Sequence, residues 1–410
     1  MEQQVLFIHQ NFPGQFLQVA QALSARKGTQ VTSLSGHAGA ALPGVRQLVY
    51  QVMREPLAQQ NPYLGDVEAK LLRAEAVFTA CLHLKEQGYR PDVVVAHTGW
   101  GEAWFIKDVW PATRLAGYCE YYYRSGNSDV DFDPEFLNDE PAFKARLRTK
   151  NMHIAGQWDA LDAACTPTIF QRDSYPADWH ARMAVLHEGI DTQLHRPGPR
   201  QGLILPDGTR LPADAELVTF VNRNLEPLRG WHQFARSLPL WLKARPHAHA
   251  VIVGGDKVSY GASAPHGLSW KSIFWDEVKH QMDPVRDWSR VHFVGQLPYA
   301  AFRTLLRNSS AHVYLTYPFV LSWSLLEAMS TACPVVASDV APVREVMTHE
   351  REGLLVPFFE PPRLAQAIIA LLEQPGLARA LGQAARERVV RDYDLAQVCL
   401  PRQMAWFDRL

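Results

Sequence analysis

Short apolar runs recur along the chain, each followed by a break rich in glycine, proline or polar residues and then by apolar positions at helical spacing. Val5–His9 is the first such run, ended by Gln10-Asn11-Phe12-Pro13-Gly14, after which Phe16, Val19, Ala20 and Leu23 share one helix face. The same rhythm predicts strands at Gln30–Ser35, Asp92–Ala96, Leu115–Tyr118, Ala163–Thr166 and Met183–His187. Helices are predicted over Tyr63–Gly88 and Phe143–Trp158. Apolar runs of this kind fit strands buried on both faces, as in parallel sheets whose crossovers are helices.

The rhythm repeats after a break. Arg196-Pro197-Gly198-Pro199 reads as a linker and Pro206-Asp207-Gly208 as a hairpin turn. Strands are then predicted at Glu216–Asn222, His249–Val253 and Val291–Val294, with helices over Trp231–Leu242, Glu360–Glu387 and Asp392–Leu410. Tyr260–Lys279 reads as an insertion rich in glycine, serine and aromatics.

The stretch Tyr314–Val346 carries the chemistry most clearly. His312–Tyr317 is strand-like, Ser322-Trp323-Ser324 leads into a helix through Leu325, Leu326, Ala328 and Met329, and Pro334–Ser338 is a second buried strand. In such a βαβ unit the first helical N–H groups and the positive end of the helix dipole favour an anion, commonly a phosphate. Ser324-Leu325-Leu326-Glu327 also has the spacing of a capping box. Arg223 and Arg229, in what reads as a loop leaving a strand, offer multi-donor forks for diphosphate oxygens. In the first half, His97-Thr98-Gly99-Trp100-Gly101 follows a strand directly, and Glu120 ends the next one. Ligands in open α/β sheets bind at that end of the strands.

Composition narrows the partners. Among 410 residues, 41 Lys+Arg against 42 Asp+Glu give a net charge of −1, which supplies no general reason to bind nucleic acid. The five cysteines lie far apart with no metal spacing, as reduced thiols of a cytoplasmic protein would. No apolar run is long enough to span a membrane, which leaves room for peripheral contact. The start reads as a strand rather than a signal peptide. Asp129, Asp131 and Asp133 imitate a metal-binding pattern but read as a solvated acidic loop or an acceptor-facing lid. Gly254-Gly255-Asp256 lacks the rest of a dinucleotide fingerprint, which disfavours an NAD-dependent oxidoreductase.

From Tyr317 to Val346 the residues, with LEAM on the helix and PVVAS on the strand, resemble the nucleotide-sugar signature of the retaining glycosyltransferases of family 4. The resemblance implies a GT-B fold: two doubly wound parallel-sheet domains facing across a cleft, residues 1–195 on the acceptor side and 196–391 on the donor side, with a helix near 392–410 returning to the first. It assigns Glu327 to the donor ribose, while the family's first glutamate would fall on Phe319. By the same likeness Gly14 meets the donor phosphates, His97 contacts the donor sugar, Arg223 and Arg229 bind the diphosphate, and Gly295 frames the base; Arg229 stands where lysine is usual. The family's Pro-Asn-Gly element at the crossing has Glu188 in place of Asn. The expected donor site is Gly14, Arg223, Arg229, Gly295, Ser322, Ser324, Leu325 and Glu327, with His97, Arg223 and Arg229 catalytic and Asn11, Trp100 and Glu120 on the acceptor side. The implied activity is metal-independent transfer from a UDP- or GDP-linked sugar to a carbohydrate, lipid-linked or other small acceptor, by a monomer or homodimer without further cofactor. A nucleotide-sugar epimerase, a phosphorylase of the same fold and a non-catalytic binding protein are the alternatives.

Overall fold

The computed structural model describes residues 2–59, 61–126, 128–138 and 140–410. They form two compact units, Met1–Gly189 with Ala396–Leu410, and Ile190–Leu395. The first unit holds a parallel seven-stranded sheet: β1 (Gln3–Ile8), β2 (Thr29–Ser35), β3 (Val45–Val49), β4 (Val93–His97), β5 (Arg114–Tyr118), β6 (Ala163–Thr166) and β7 (Met183–Val185), in the order β3-β2-β1-β4-β5-β6-β7. β1 and β4 pair with Val5 opposite Val93 and Phe7 opposite Val95. Alternate residues serve opposite layers. Leu6, Ile8, Val94 and Ala96 pack with Val77, Cys81 and Leu84 of the helix Gly65–Glu86. Val5, Phe7, Val93 and Val95 pack with Ala20 and Leu23 of the helix Leu17–Ser24 and with Phe407 of the helix Leu400–Phe407. This is why both faces of these strands read as apolar.

After a small hairpin, β8 (Leu203–Ile204) with β9 (Arg210–Leu211), the second unit repeats the plan. Its parallel sheet comprises β10 (Leu217–Asn224), β11 (His249–Gly255), β12 (Val291–Gly295), β13 (Ala311–Tyr314), β14 (Val335–Ser338) and β15 (Leu354–Val356), ordered β12-β11-β10-β13-β14-β15. Both sheets therefore reverse direction in strand order beside their first strand, between β1 and β4 and between β10 and β13. Loops leaving the carboxyl ends of those pairs diverge and open a crevice.

Several elements depart from the sequence reading, each for a local reason. The second unit begins at Ile190, ahead of the proline-rich linker, because Ile190–His195 pack into it: Ile190 bridges Asp394, and Ser330 Oγ donates to the His195 carbonyl at 2.6 Å. Phe143–Trp158 is two helices, Pro141–Lys150 and Met152–Trp158. Asn151 breaks them, its amide donating to the Tyr123 carbonyl at 2.6 Å and accepting from the Tyr123 N–H at 2.9 Å. The insertion after β11 contains the helix Trp270–Val278, capped by Ser269, whose Oγ accepts from Ser272 N. Arg223 lies on β10 rather than beyond it. The acids of the Asp129–Asp133 stretch make local bonds: Asp129 accepts from the Tyr121 hydroxyl at 3.1 Å, Asp131 from Gly126 N and Asp133 from Glu135 N. All five cysteines are buried free thiols. No helix among the described residues is long and apolar enough to cross a membrane.

The turn that carries Arg229 depends on one glycine. Gly230 has φ +71°, and a Cβ there would stand 2.3 Å from the Leu315 Cβ. Gly230→Ala is expected to cost about 2 kcal/mol or more, from the left-handed backbone and the overlap together, read as a lower midpoint in urea unfolding; an unchanged midpoint would mean the turn relaxes freely.

Candidate functional site

At the reversal point of the second sheet lies a cavity of about 460 Å³, lined among others by Arg223, Glu226, Arg229, Tyr260, Tyr299, Ser322, Ser324 and Glu327. Arg223 is exposed near the end of β10, and its guanidinium has no hydrogen bond or ion pair among the described residues. Arg229, in contrast, is 7% exposed. Its Nη1 donates to Thr316 Oγ1 at 2.8 Å, and Nη1 and Nη2 reach the Val320 carbonyl at 3.3 Å. The guanidinium stands 5.4 Å from the Tyr260 ring and 5.8 Å from that of Phe319, which is buried edge-to-face against Tyr260. An aromatic ring thus fills the position where the family pattern has its first glutamate.

The helix Trp323–Ser330 starts at this cavity. Its N-cap is Ser322, whose Oγ accepts from Ser324 N at 3.4 Å and lies 2.9 Å from Ser324 Oγ. The cap falls two residues earlier than the capping-box spacing suggests. Glu327 is released from that role and turns to the cavity. Leu325 does not join the site: its side chain is wholly buried and its amide donates to the Ser322 carbonyl at 3.2 Å. Gly295, with φ +65°, ends β12, but its neighbours Gln296 and Leu297 line the cavity in its place.

Glu327 is 8% exposed. The Tyr299 hydroxyl donates to its Oε1, and His195 Nε2 lies 3.5 Å from the same oxygen. Burial raises its pKa above the ordinary carboxylate value. His195 bonds the Tyr299 hydroxyl through Nε2, and burial lowers its pKa to about 4, so it sits beside the carboxylate as a neutral ring at neutral pH. Tyr299 and His195 were not legible in the sequence, since nothing local ties them to residue 327. Glu226 was within reach, lying between the two arginines. It is 1% exposed and accepts from the N–H groups of Ser259 and Tyr260, both at 3.0 Å, which fixes the loop carrying Tyr260 to the cavity wall.

In the first unit, Asn11, Gly14, His97, Trp100 and Glu120 gather past the ends of β1, β4 and β5, which are neighbours in the sheet. Gly14 has φ +47°, and a Cβ there would lie 2.6 Å from the His9 ring, so the turn accepts no other residue without moving that ring. Asn11 N donates to His9 Nδ1 at 2.9 Å; His9 Nε2 meets Gln15 Oε1 at 2.8 Å, and Gln15 Nε2 donates to Glu120 Oε1 at 3.1 Å. His97, expected to contact the donor sugar, is enclosed by rings. It is 1% exposed, packed by His9, Trp100 and Tyr118 at ring separations of 5.1, 5.7 and 5.3 Å. Burial holds its pKa well below the ordinary histidine value, so the ring is neutral. With Nδ1 accepting from Gly99 N at 3.1 Å, the proton belongs on Nε2, which has no hydrogen bond and points its N–H at Glu120 Oε2, 3.8 Å away. Glu120, 32% exposed at its side chain, is the group of this pair that solvent reaches. Trp100 stacks on the His97 ring.

Known families match both halves of the chain. The family model described as glycosyl transferase family 4 group matches residues 27–195, and that of glycosyl transferases group 1 matches residues 205–388. Alpha-maltose-1-phosphate synthase of Mycolicibacterium smegmatis is 29% identical over 260 residues, spanning 58% of this chain and 61% of that one. Among solved structures, the sucrose-phosphate synthase of Thermosynechococcus elongatus has a TM-score of 0.72 at 20% identity, covering 100% of this chain and 98% of that one. The Anabaena protein HepE, solved in complex with UDP, has a TM-score of 0.67 at 17% identity and covers 100% of both. These two likenesses concern the fold. With consecutive family models covering nearly its whole length, the chain belongs to the group 1 glycosyltransferases, its first half to their family 4 group.

Proposed function

We propose that the cavity of the second unit binds a nucleoside-diphosphate sugar, UDP- or GDP-linked, and that the chain transfers the sugar with retention, without a metal ion, to a carbohydrate, lipid-linked or other small acceptor held by the first unit. The observation that carries this reading is the convergence of two guanidinium groups, two serine hydroxyls at a helix N-terminus and the buried carboxylate of Glu327 on a single cavity. Cations and hydroxyl donors match a diphosphate, and a carboxylate accepts from a pair of ribose hydroxyls. Retention is taken from the family likeness alone.

The chemistry asked of these groups is electrostatic. As the bond from the anomeric carbon to the diphosphate oxygen lengthens, negative charge gathers on the departing phosphate. Arg229, already fixed by Thr316 and Val320, stands preorganised to meet that charge, and exposed Arg223 can close on the ligand to add to it. Cationic side chains here take the role that a divalent cation fills elsewhere. Tyr299 orients Glu327 from behind. On the acceptor side, Glu120 offers the acceptor a partly exposed carboxylate, and buried His97 serves as a positioning residue behind it.

A thermal-shift screen over UDP-, GDP-, ADP- and TDP-sugars tests the donor, since a ligand at a hundred times its Kd adds about 2.7 kcal/mol to the fold. UDP- or GDP-sugars are expected to shift the melting temperature; no shift with any of the four removes the donor assignment. Product analysis with donor alone separates transfer from epimerisation, and a requirement for inorganic phosphate would mark a phosphorylase.

Arg223→Ala removes a charge with no partner in the free protein. It is expected to weaken nucleotide-sugar binding about ten- to a hundredfold, equivalent to about 1.5–3 kcal/mol, without moving the melting temperature of the free protein. Arg229→Ala is expected to lower both, because it also frees Thr316 and Val320. Equal affinity in Arg223→Ala and wild type by isothermal titration would place the diphosphate elsewhere.

Glu327 gives the site a pH dependence of known sign. Its raised pKa means that the ionised form, present above that value, is lost on acidification at higher pH than in an exposed glutamate. Donor affinity therefore falls on acidification, beginning at higher pH than an exposed glutamate would give, and Glu327→Gln flattens the profile. Titrations from neutral to acid pH decide it: a wild-type profile as flat as the variant's excludes Glu327 from ribose binding.

A further inference from the structure

His195 closes the segment that enters the second unit, far in sequence from the helix Trp323–Ser330 that carries Glu327, yet it is tied to that helix at two levels. At the helix's last residue, the His195 carbonyl accepts from Ser330 Oγ at 2.6 Å, and it also accepts from Arg386 Nη1, of the helix Pro375–Tyr393, at 3.1 Å. Its ring meets the middle of the helix. Nε2 stands 2.5 Å from the Tyr299 hydroxyl and 3.5 Å from Glu327 Oε1, and the His195 and Tyr299 rings meet edge to face at 5.4 Å. The other charged groups near the ring, among the described residues, are Asp191 of the same segment and Arg303 and Arg307 of the helix Tyr299–Asn308. Both arginines approach the Leu194 carbonyl, at 3.5 Å, and none of the three has an ion pair with Glu327, which shares its cavity with Arg223 and Arg229.

The protons fix the direction of each bond. A tyrosine hydroxyl has a single proton, and here it goes to the Glu327 carboxylate, which in its ionised form has none to give. The Tyr299 oxygen therefore accepts from His195, which puts the imidazole proton on Nε2. Nδ1 is left bare, buried and without a hydrogen bond among the described residues. Burial lowers the pKa of the ring to about 4, so it brings no charge to Glu327 at neutral pH. A neutral ring with an unsatisfied buried nitrogen gains little for the fold. What it supplies is direction, from the His195 N–H through the Tyr299 O–H to Glu327. Tyr299 is 51% exposed on the cavity wall, so without that N–H water competes for its hydroxyl.

We infer that His195 is a positioning residue for the donor: by holding the Tyr299 oxygen it aims the hydroxyl proton at Glu327, and so keeps that carboxylate ionised and turned to the ribose. The inference rests on the donor reading of the same cavity. A hydrogen bond to the charged form favours that form, so the Tyr299 contact holds the Glu327 pKa below the value that burial alone would give. Losing the contact raises it further. The ionised carboxylate, and donor affinity with it, is then lost on acidification at still higher pH.

The test uses the full chain and titrates UDP and GDP by calorimetry at a series of pH values. His195→Phe keeps a ring and removes the N–H, whereas His195→Gln keeps a donor near the position of Nε2. At neutral pH, His195→Phe is expected to weaken the nucleotide that binds wild type about three- to tenfold and to move the acid loss of affinity to higher pH. Tyr299→Phe should do the same, and the double variant no more than Tyr299→Phe alone, because both changes break one chain of bonds. His195→Gln should return affinity and profile towards wild type, which a merely structural role for the ring would not give. Should His195→Phe not fold, His195→Asn, too short to reach Tyr299, takes its place. An unshifted profile in the variant without the donor, losses that add in the double variant, or His195→Gln no better than His195→Phe overturns the inference. Nucleotide binding that depends on Arg223 and not on His195 removes this inference alone. If neither UDP nor GDP binds wild type, the donor reading falls, and the role of His195 falls with it.

Discussion

The second unit is organised by a guanidinium taken out of water and held by neutral oxygens. Arg229 leaves the turn after β10 and bonds Thr316 and Val320, in the chain beyond β13, so one side chain ties together the two loops that the sheet's strand order drives apart. A buried cation with no carboxylate within ion-pair distance among the described residues is tolerable only if its donors are met, and here a hydroxyl and a carbonyl meet them. Hydrogen bonding without neutralisation leaves the positive charge in place at the cavity wall. The same constraint demands Gly230 next in the chain, because only a left-handed residue without a Cβ brings that turn against Leu315.

Much of this architecture was written locally. β1, β4, β13 and β14 are short apolar runs with glycine, proline or polar stops, and a strand buried on both faces leaves that mark in any sequence. β3 was missed because it is an edge: Val45, Gln47 and Leu48 are only part-buried, and its alternation has polar residues on both sides. The helix Trp270–Val278 was missed because tryptophans, serine and a lysine hide its periodicity inside a glycine-rich insertion.

The candidate site was legible to the extent that it lies on one strand end, the turn after it and the start of one helix. Arg223, Arg229, Ser322, Ser324 and Glu327 fall on the cavity. Leu325 fell away because helix geometry commits its amide to Ser322, a fact that follows from where the cap sits rather than from residue type. Tyr299 and His195 reach Glu327 from remote parts of the chain, and spacing carries no information about such contacts. His97 illustrates the opposite limit. Its position after a strand, followed by two glycines, suggested a contact with the donor sugar, yet the rings of His9, Trp100 and Tyr118 pack around it, and only the folded chain reveals that solvent reaches Glu120 rather than His97.

The segment Ala396–Leu410 belongs to the first unit although more than two hundred residues of chain separate it from Gly189. Phe407 packs among Val5, Phe7, Phe16 and Tyr118. On the ribosome, the amino-terminal sheet therefore emerges with an uncovered apolar face and waits for the whole second unit to be translated before its own layer is complete. Domains commonly fold in the order of synthesis; here the unit begun first is sealed last, and a chaperone, or transient self-association, has that interval in which to act on the nascent chain.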